Sequence, residues 1–165
     1  MPQNWYNADG LYLEFGTDKT TAKRAGEFKT VDGTHTVEFD LDLVGLTTSN
    51  TIIDDTVQIP AGVRVLEVQV IATTVATTGT SAALNVGLIR TDRTTAYDAD
   101  GLVEAAAVTT IDALGETTIY RAPVSGTGVG DLVGTVLANT GLLVASTSTG
   151  TFTAGAVKVR VLYVK

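Results

Sequence analysis

The run from Val57 to Val70 constrains this chain's fold more than any other stretch. Val57 and Ile59 alternate with polar neighbours, Pro60-Ala61-Gly62 turns the chain, and Val63, Val65, Leu66, Val68 and Val70 follow. β-Branched side chains at period two, fenced by Pro and Gly, are the pattern of a strand with one buried face. The alternation slips by one residue between Val65 and Leu66. Uncorrected, that slip would turn the second half of the strand to solvent, so the pattern predicts a β-bulge near Val65–Glu67. After Thr77-Thr78-Gly79-Thr80 the alternation returns as Ala82, Leu84, Val86 and Leu88. The most economical reading is two long, neighbouring antiparallel strands at the spine of a β-sandwich.

Other segments repeat the theme. Val37, Phe39, Leu41 and Leu43 alternate with Glu38, Asp40 and Asp42, as in a half-exposed antiparallel strand. Thr117–Tyr120 is a brief strand. Val157, Val159, Val161 and Tyr163 alternate with Lys158 and Arg160, and the turn residues before them suggest a hairpin pairing Gly141–Thr147 with Ala156–Val164. Asp98–Ala107 carries Ala, Leu and an acidic start, which favours one helix of two or three turns. The expected fold is all-β: a jelly-roll-like antiparallel β-sandwich of about eight strands with one short helix. Residues 1–35 read as an extended N-terminal arm bearing one strand around Leu11, Leu13 and Phe15, and 36–165 as the sandwich domain.

Composition narrows the function. Eleven basic against eighteen acidic residues give a net charge of −7, and no dense basic run exists to displace counterions from nucleic acid. DNA or RNA is therefore not an expected partner. Without cysteine there is neither a disulfide framework nor a thiolate site, which suits assembly in a reducing cytoplasm. The first residues lack the basic-then-apolar pattern of a signal peptide, and no stretch approaches the roughly 20 apolar residues of a membrane span. No membrane partner is expected.

The search for chemistry returns bland answers. His35 is the sole histidine and reads as a loop residue before a strand. Asp98-Ala99-Asp100-Gly101 resembles part of a calcium loop, but Ala96 and Ala107 would fall where carboxylates are required. Glu38, Asp40 and Asp42 share a strand face and would serve as paired glycosidase acids only with a deep cleft. The glycines at 126, 128, 130 and 134 fit no phosphate-binding spacing, and no serine sits in a nucleophile elbow. The reading is of a non-enzyme with no catalytic residue, no cofactor and no metal.

Residues 55–70, with Ile59-Pro60-Ala61-Gly62-Val63 followed by Val65, Val68 and Val70, then Ala83-Leu84-Asn85-Val86-Gly87 and the valine-rich final strand, resemble a pattern in tailed-bacteriophage head decoration (cement) proteins. That resemblance implies a β-sandwich, commonly trimeric, on the capsid exterior of a virion made in the host cytoplasm, with the major capsid protein as partner. Such a protein would stabilise the capsid by bridging capsomers. Within the arm, Trp5, Tyr6, Tyr12 and Phe15 are candidate interface anchors, since aromatic residues concentrate interface energy. Lys19, Lys23 and Arg24 are candidates to meet an acidic capsid surface. The alternative is a tail- or fibre-associated binding module, such as one recognising glycans.

Overall fold

Valine at every second position makes strands that must each bury one face, and two sheets packed face to face meet that demand. A computed structural model describes residues 33–54, 56–78, 81–122 and 128–165, together with the backbone strands at 3–6 and 12–15. Contacts divide the chain into two units, 1–33 and 34–165.

The first unit contains strands β1 (Gln3–Tyr6) and β2 (Tyr12–Phe15). They pair antiparallel, with Trp5 opposite Leu13 and Tyr6 opposite Tyr12. The arm was expected to hold one strand. It holds a two-stranded hairpin.

The second unit contains β3 (Thr34–Asp42), β4 (Thr51–Ile52), β5 (Gln58–Ile59), β6 (Arg64–Thr78), β7 (Ala83–Arg90), β8 (Ala96–Ala107), β9 (Thr117–Arg121), β10 (Gly141–Thr147) and β11 (Phe152–Val164). One sheet runs β3-β11-β6-β9. The other runs β4-β10-β7-β8, with β5 also paired to β10. All the strand pairings are antiparallel. Val65, Val68, Val70, Val157, Val159 and Val161 from the first sheet join Leu84, Val86, Leu88, Leu143 and Ala145 from the second in one buried core. The all-β sandwich is as the alternation requires.

The bulge appears where the slip places it. Glu67 pairs with Leu162 and Val65 with Tyr163, leaving Leu66 as the extra residue. Val65 and Val68 are fully buried while Leu66 is 37% exposed. One inserted residue thus keeps both halves of β6 facing the core.

Strand partnership departs from expectation in two places. β6 and β7 are not neighbours but lie in opposite sheets, and β10 pairs with β7 rather than with β11. Apart from β7 and β8, no two consecutive strands of this unit pair with each other; the chain mostly crosses from sheet to sheet. Period two fixes which face of a strand is buried and says nothing about which strand lies beside it. β10 is buried along its whole length, so it occupies an interior place in its sheet, where a hairpin with β11 has no room.

The helix expected over Asp98–Ala107 is instead most of strand β8, and the described residues contain one short 3₁₀ turn, Val108–Thr110, but no α-helix. Burial overrides propensity here. Leu102, Val103 and Ala106 are all buried in the core. The strand reaches this arrangement through a wide irregularity, since Val86 pairs with Val103 and Leu88 with Asp98. Gly87 is the single residue of β7 facing that excursion, and a Cβ there would lie 2.2 Å from the Asp98 carbonyl oxygen. Further along, Ala105 takes a left-handed φ of 49°, and its N–H donates to Asn85 Oδ1 at 2.8 Å.

Candidate functional site

The outward face of the β3-β11-β6-β9 sheet carries the densest polar organisation among the described residues. β3 points Glu38, Asp40 and Asp42 outward because Phe39 and Leu41, between them, are taken by the core. β11 points Lys158 and Arg160 outward for the same reason, and the register sets Lys158 opposite Asp40 and Arg160 opposite Glu38. Arg160 binds Glu38 at 2.6 Å, and Lys158 lies 3.5 Å from Glu38 and 3.3 Å from Asp40. The chain of contacts continues from Arg160 to Gln69 Oε1 at 3.2 Å, from Gln69 to Glu67, and from Glu67 to Arg121 at 3.1 Å. Ion pairs between β3 and β11 and between β6 and β9, joined through the neutral Gln69 amide, therefore link all four strands.

This network gives the acids partners within the sheet. A hydrogen bond from Arg160, aided by the charges of Arg160 and Lys158, holds the Glu38 carboxyl below its usual range. A general acid needs the opposite shift. Asp40, chiefly, and then Glu38 raise the Lys158 ammonium above its ordinary value. Asp42 Oδ1 accepts the Val44 N–H at 2.9 Å, which caps the end of the strand. Each acid has a local structural task.

Beside the network lies an open groove of about 610 Å³ whose lining includes Asp40, Asp42, Val44, Thr74, Thr153 and Ala154. It forms where the β6–β11 ladder is irregular: Ala156 pairs with Thr74 while Val157 pairs with Ala72. No aromatic ring lines it, so the flat platform on which a sugar usually stacks is missing from this groove.

The remaining candidates fall as follows. The backbones of Trp5 and Tyr6 lie in β1 and those of Tyr12 and Phe15 in β2, brought together by the hairpin register. Lys19, Lys23 and Arg24 lie outside the described residues, as do residues 125–127 of the glycine-rich loop at 125–130. His35 stacks on Tyr163, with ring centroids 5.4 Å apart. Asp98 and Asp100 belong to β8 rather than to a loop. Burial, then Asp100, push the Asp98 carboxyl up, with a smaller push from Asp131. Among the described residues no group of three or more His, Cys, Asp or Glu side chains could hold a metal ion.

The cross-strand network escaped the sequence reading. Both alternations were visible, acids at 38, 40 and 42 and bases at 158 and 160, yet nothing in either run says that they are neighbours. Opposite charge at identical spacing in two strands was the available signal.

No described protein family and no curated protein matches this chain. Solved structures do. A chain of the cyanophage Pam1 capsid asymmetric unit aligns with a TM-score of 0.55 and 20% identity, covering 89% of this chain and 96% of that one. A chain of the capsid of Ralstonia phage GP4 aligns with a TM-score of 0.50 and 13% identity over 80% and 84% of the two chains. At these identities the likeness is one of fold, and the fold it shares is that of chains in phage capsids.

Proposed function

We propose that this chain is a non-enzymatic structural protein of a phage virion that binds the exterior of the assembled capsid. The observation that carries the reading is the fold shared with chains of two phage capsids over four-fifths or more of this sequence. The strand order supports it as well. Strands that pass back and forth between β3-β11-β6-β9 and β4/β5-β10-β7-β8 suit a jelly-roll-like sandwich.

In this reading residues 1–35 are the docking arm and the sandwich is a rigid body. Trp5, Tyr6, Tyr12 and Phe15 anchor the arm on the major capsid protein or a neighbouring copy, and Lys19, Lys23 and Arg24 meet acidic surface there. A homotrimer presents three arms at once. Joining weak footholds in this way raises overall affinity by roughly 10²–10⁴-fold without any new contact. A ligand that binds only the assembled lattice stabilises it by mass action, about 2.7 kcal/mol per site at a hundred times Kd.

The test is co-sedimentation of the purified chain, and of a variant lacking residues 1–25, with expanded DNA-free capsids. Intact protein should pellet with the shells, and the truncated form should remain in the supernatant. Equal pelleting of the two forms removes the arm from the mechanism, and no pelleting of the intact protein removes the function. Sedimentation velocity of the free protein tests the trimer, which a monomer at micromolar concentration would contradict.

A further inference from the structure

Among the described residues the outer edge of β3 is unpaired. β3 ends its sheet and pairs only with β11, so among the described residues its other edge has no strand beside it. Leu43 N–H donates to Gly155 O at 3.1 Å, and in an antiparallel ladder alternate residues exchange such bonds. Along the register the odd-numbered residues of β3 bond to β11, while Thr36, Glu38 and Asp40 present their N–H and C=O groups to the free edge. The same residues are exposed, with the Asp40 side chain at 82%. At nine residues, the edge is about 30 Å long.

Charge decides what fits there. Two copies of β3 edge to edge would set acid against acid, which destabilises a strand pair. β11 already shows the complement, with Lys158 opposite Asp40 and Arg160 opposite Glu38. Phe39 and Leu41 are already sealed in the core, so an added strand needs only small or β-branched residues on its inward side.

We propose that the free edge of β3 receives an extended basic strand from a neighbouring protein of the assembly, with Lys or Arg at alternate positions facing Glu38, Asp40 and Asp42. Strand addition supplies main-chain hydrogen bonds for affinity, and the alternating charges supply register. The proposal rests on the capsid-binding reading and names the chemistry of one contact within it.

The probe is the peptide acetyl-Thr-Lys-Val-Arg-Val-Lys-Thr-amide, labelled for fluorescence anisotropy, with a second peptide carrying Glu at the three basic positions. The basic peptide should bind the full chain at least tenfold more tightly than the acidic one and slow amide hydrogen exchange in residues 34–42. Raising NaCl from 50 to 500 mM should weaken it severalfold. Asp40→Lys should narrow or reverse the preference. Thr36→Pro, which removes an outward N–H without touching the β11 ladder, should weaken binding of the basic peptide, with folding of both variants checked by circular dichroism. Equal binding of the two peptides, protection elsewhere, or no binding of the basic peptide at 1 mM overturns the proposal. A basic peptide that protects β3 in a protein that fails to pellet with capsids would sink the capsid reading and leave the edge standing.

Discussion

Replacing Gly87 by Ala tests the most unexpected part of the fold, the strand over Ala96–Ala107. A methyl group at Gly87 would sit 2.2 Å from the Asp98 carbonyl oxygen, 2.3 Å from the Ala99 carbonyl carbon and 2.5 Å from the Ala99 oxygen. All three atoms are backbone, so no side chain can swing aside. Ordinary contact needs about 3.4 Å, and β7 and β8 must part locally by roughly 1 Å. Overpacking of this kind costs about 1–3 kcal/mol. Loss of one or two ladder hydrogen bonds adds about 1 kcal/mol each, giving a total of about 2–5 kcal/mol. For a chain of this size that corresponds to a fall in Tm of roughly 4–20 °C. Gly62→Ala is the control. Its Cβ would meet nothing within 4 Å, so only its φ of +79° is strained, at about 1–2 kcal/mol. Urea unfolding followed by circular dichroism measures both. The result that refutes the reasoning is a Gly87→Ala protein within 0.5 kcal/mol of the parent, or one less affected than Gly62→Ala. A helix over 98–107 would make Gly87→Ala harmless.

Four further outcomes follow from the same structure. Among the described residues no group lies at hydrogen-bond distance and angle from the buried Tyr120 hydroxyl, Thr110 exerting only a weak pull on it, so Tyr120→Phe should leave urea stability unchanged or raise it by up to about 1 kcal/mol; a loss of more than 1 kcal/mol would reveal a stronger partner. Ala105→Gly should cost nothing or stabilise slightly, because relief of the left-handed φ of 49° offsets the added freedom of the unfolded chain; a clear destabilisation on thermal melting argues against that conformation. Asp98 is pushed up by burial and Asp100, so its contribution is present below the unfolded value near 4 and is lost as pH rises through the folded one. Asp98→Asn should therefore gain on the parent between pH 4 and pH 7, as read from urea midpoints, and a gain of opposite sign contradicts the assignment. Glu38 and Asp54 shift the other way, through Arg160 and Thr56 respectively, so Glu38→Gln should shrink the parent's loss of stability on acidification below about pH 4.

How much of this was legible depends on what a pattern can encode. Val37, Phe39 and Leu41 facing in, and Leu66 as a bulged residue, were readable because period two and its single slip report directly on burial. The pairing of β6 with β11 rather than with β7 was not, since every strand with one buried face offers the same signal to every partner. β8 misled because Asp98, Leu102 and the alanines 105–107 suit a helix locally, while the core needs Leu102, Val103 and Ala106 in an extended chain across Gly87. The charged band was half legible. Its acids and bases were identified as outward faces, and only the register between β3 and β11 turns them into partners. The open edge of β3 likewise exists only once the sheet order is known.

Electron cryomicroscopy of the virion that carries this chain tests the central claim most directly. The account predicts sandwich-shaped density on the outside of the capsid, in groups of three astride capsomer boundaries, with the first 35 residues reaching a neighbouring subunit. Density confined to the tail, or a capsid exterior bare of this protein, would contradict it.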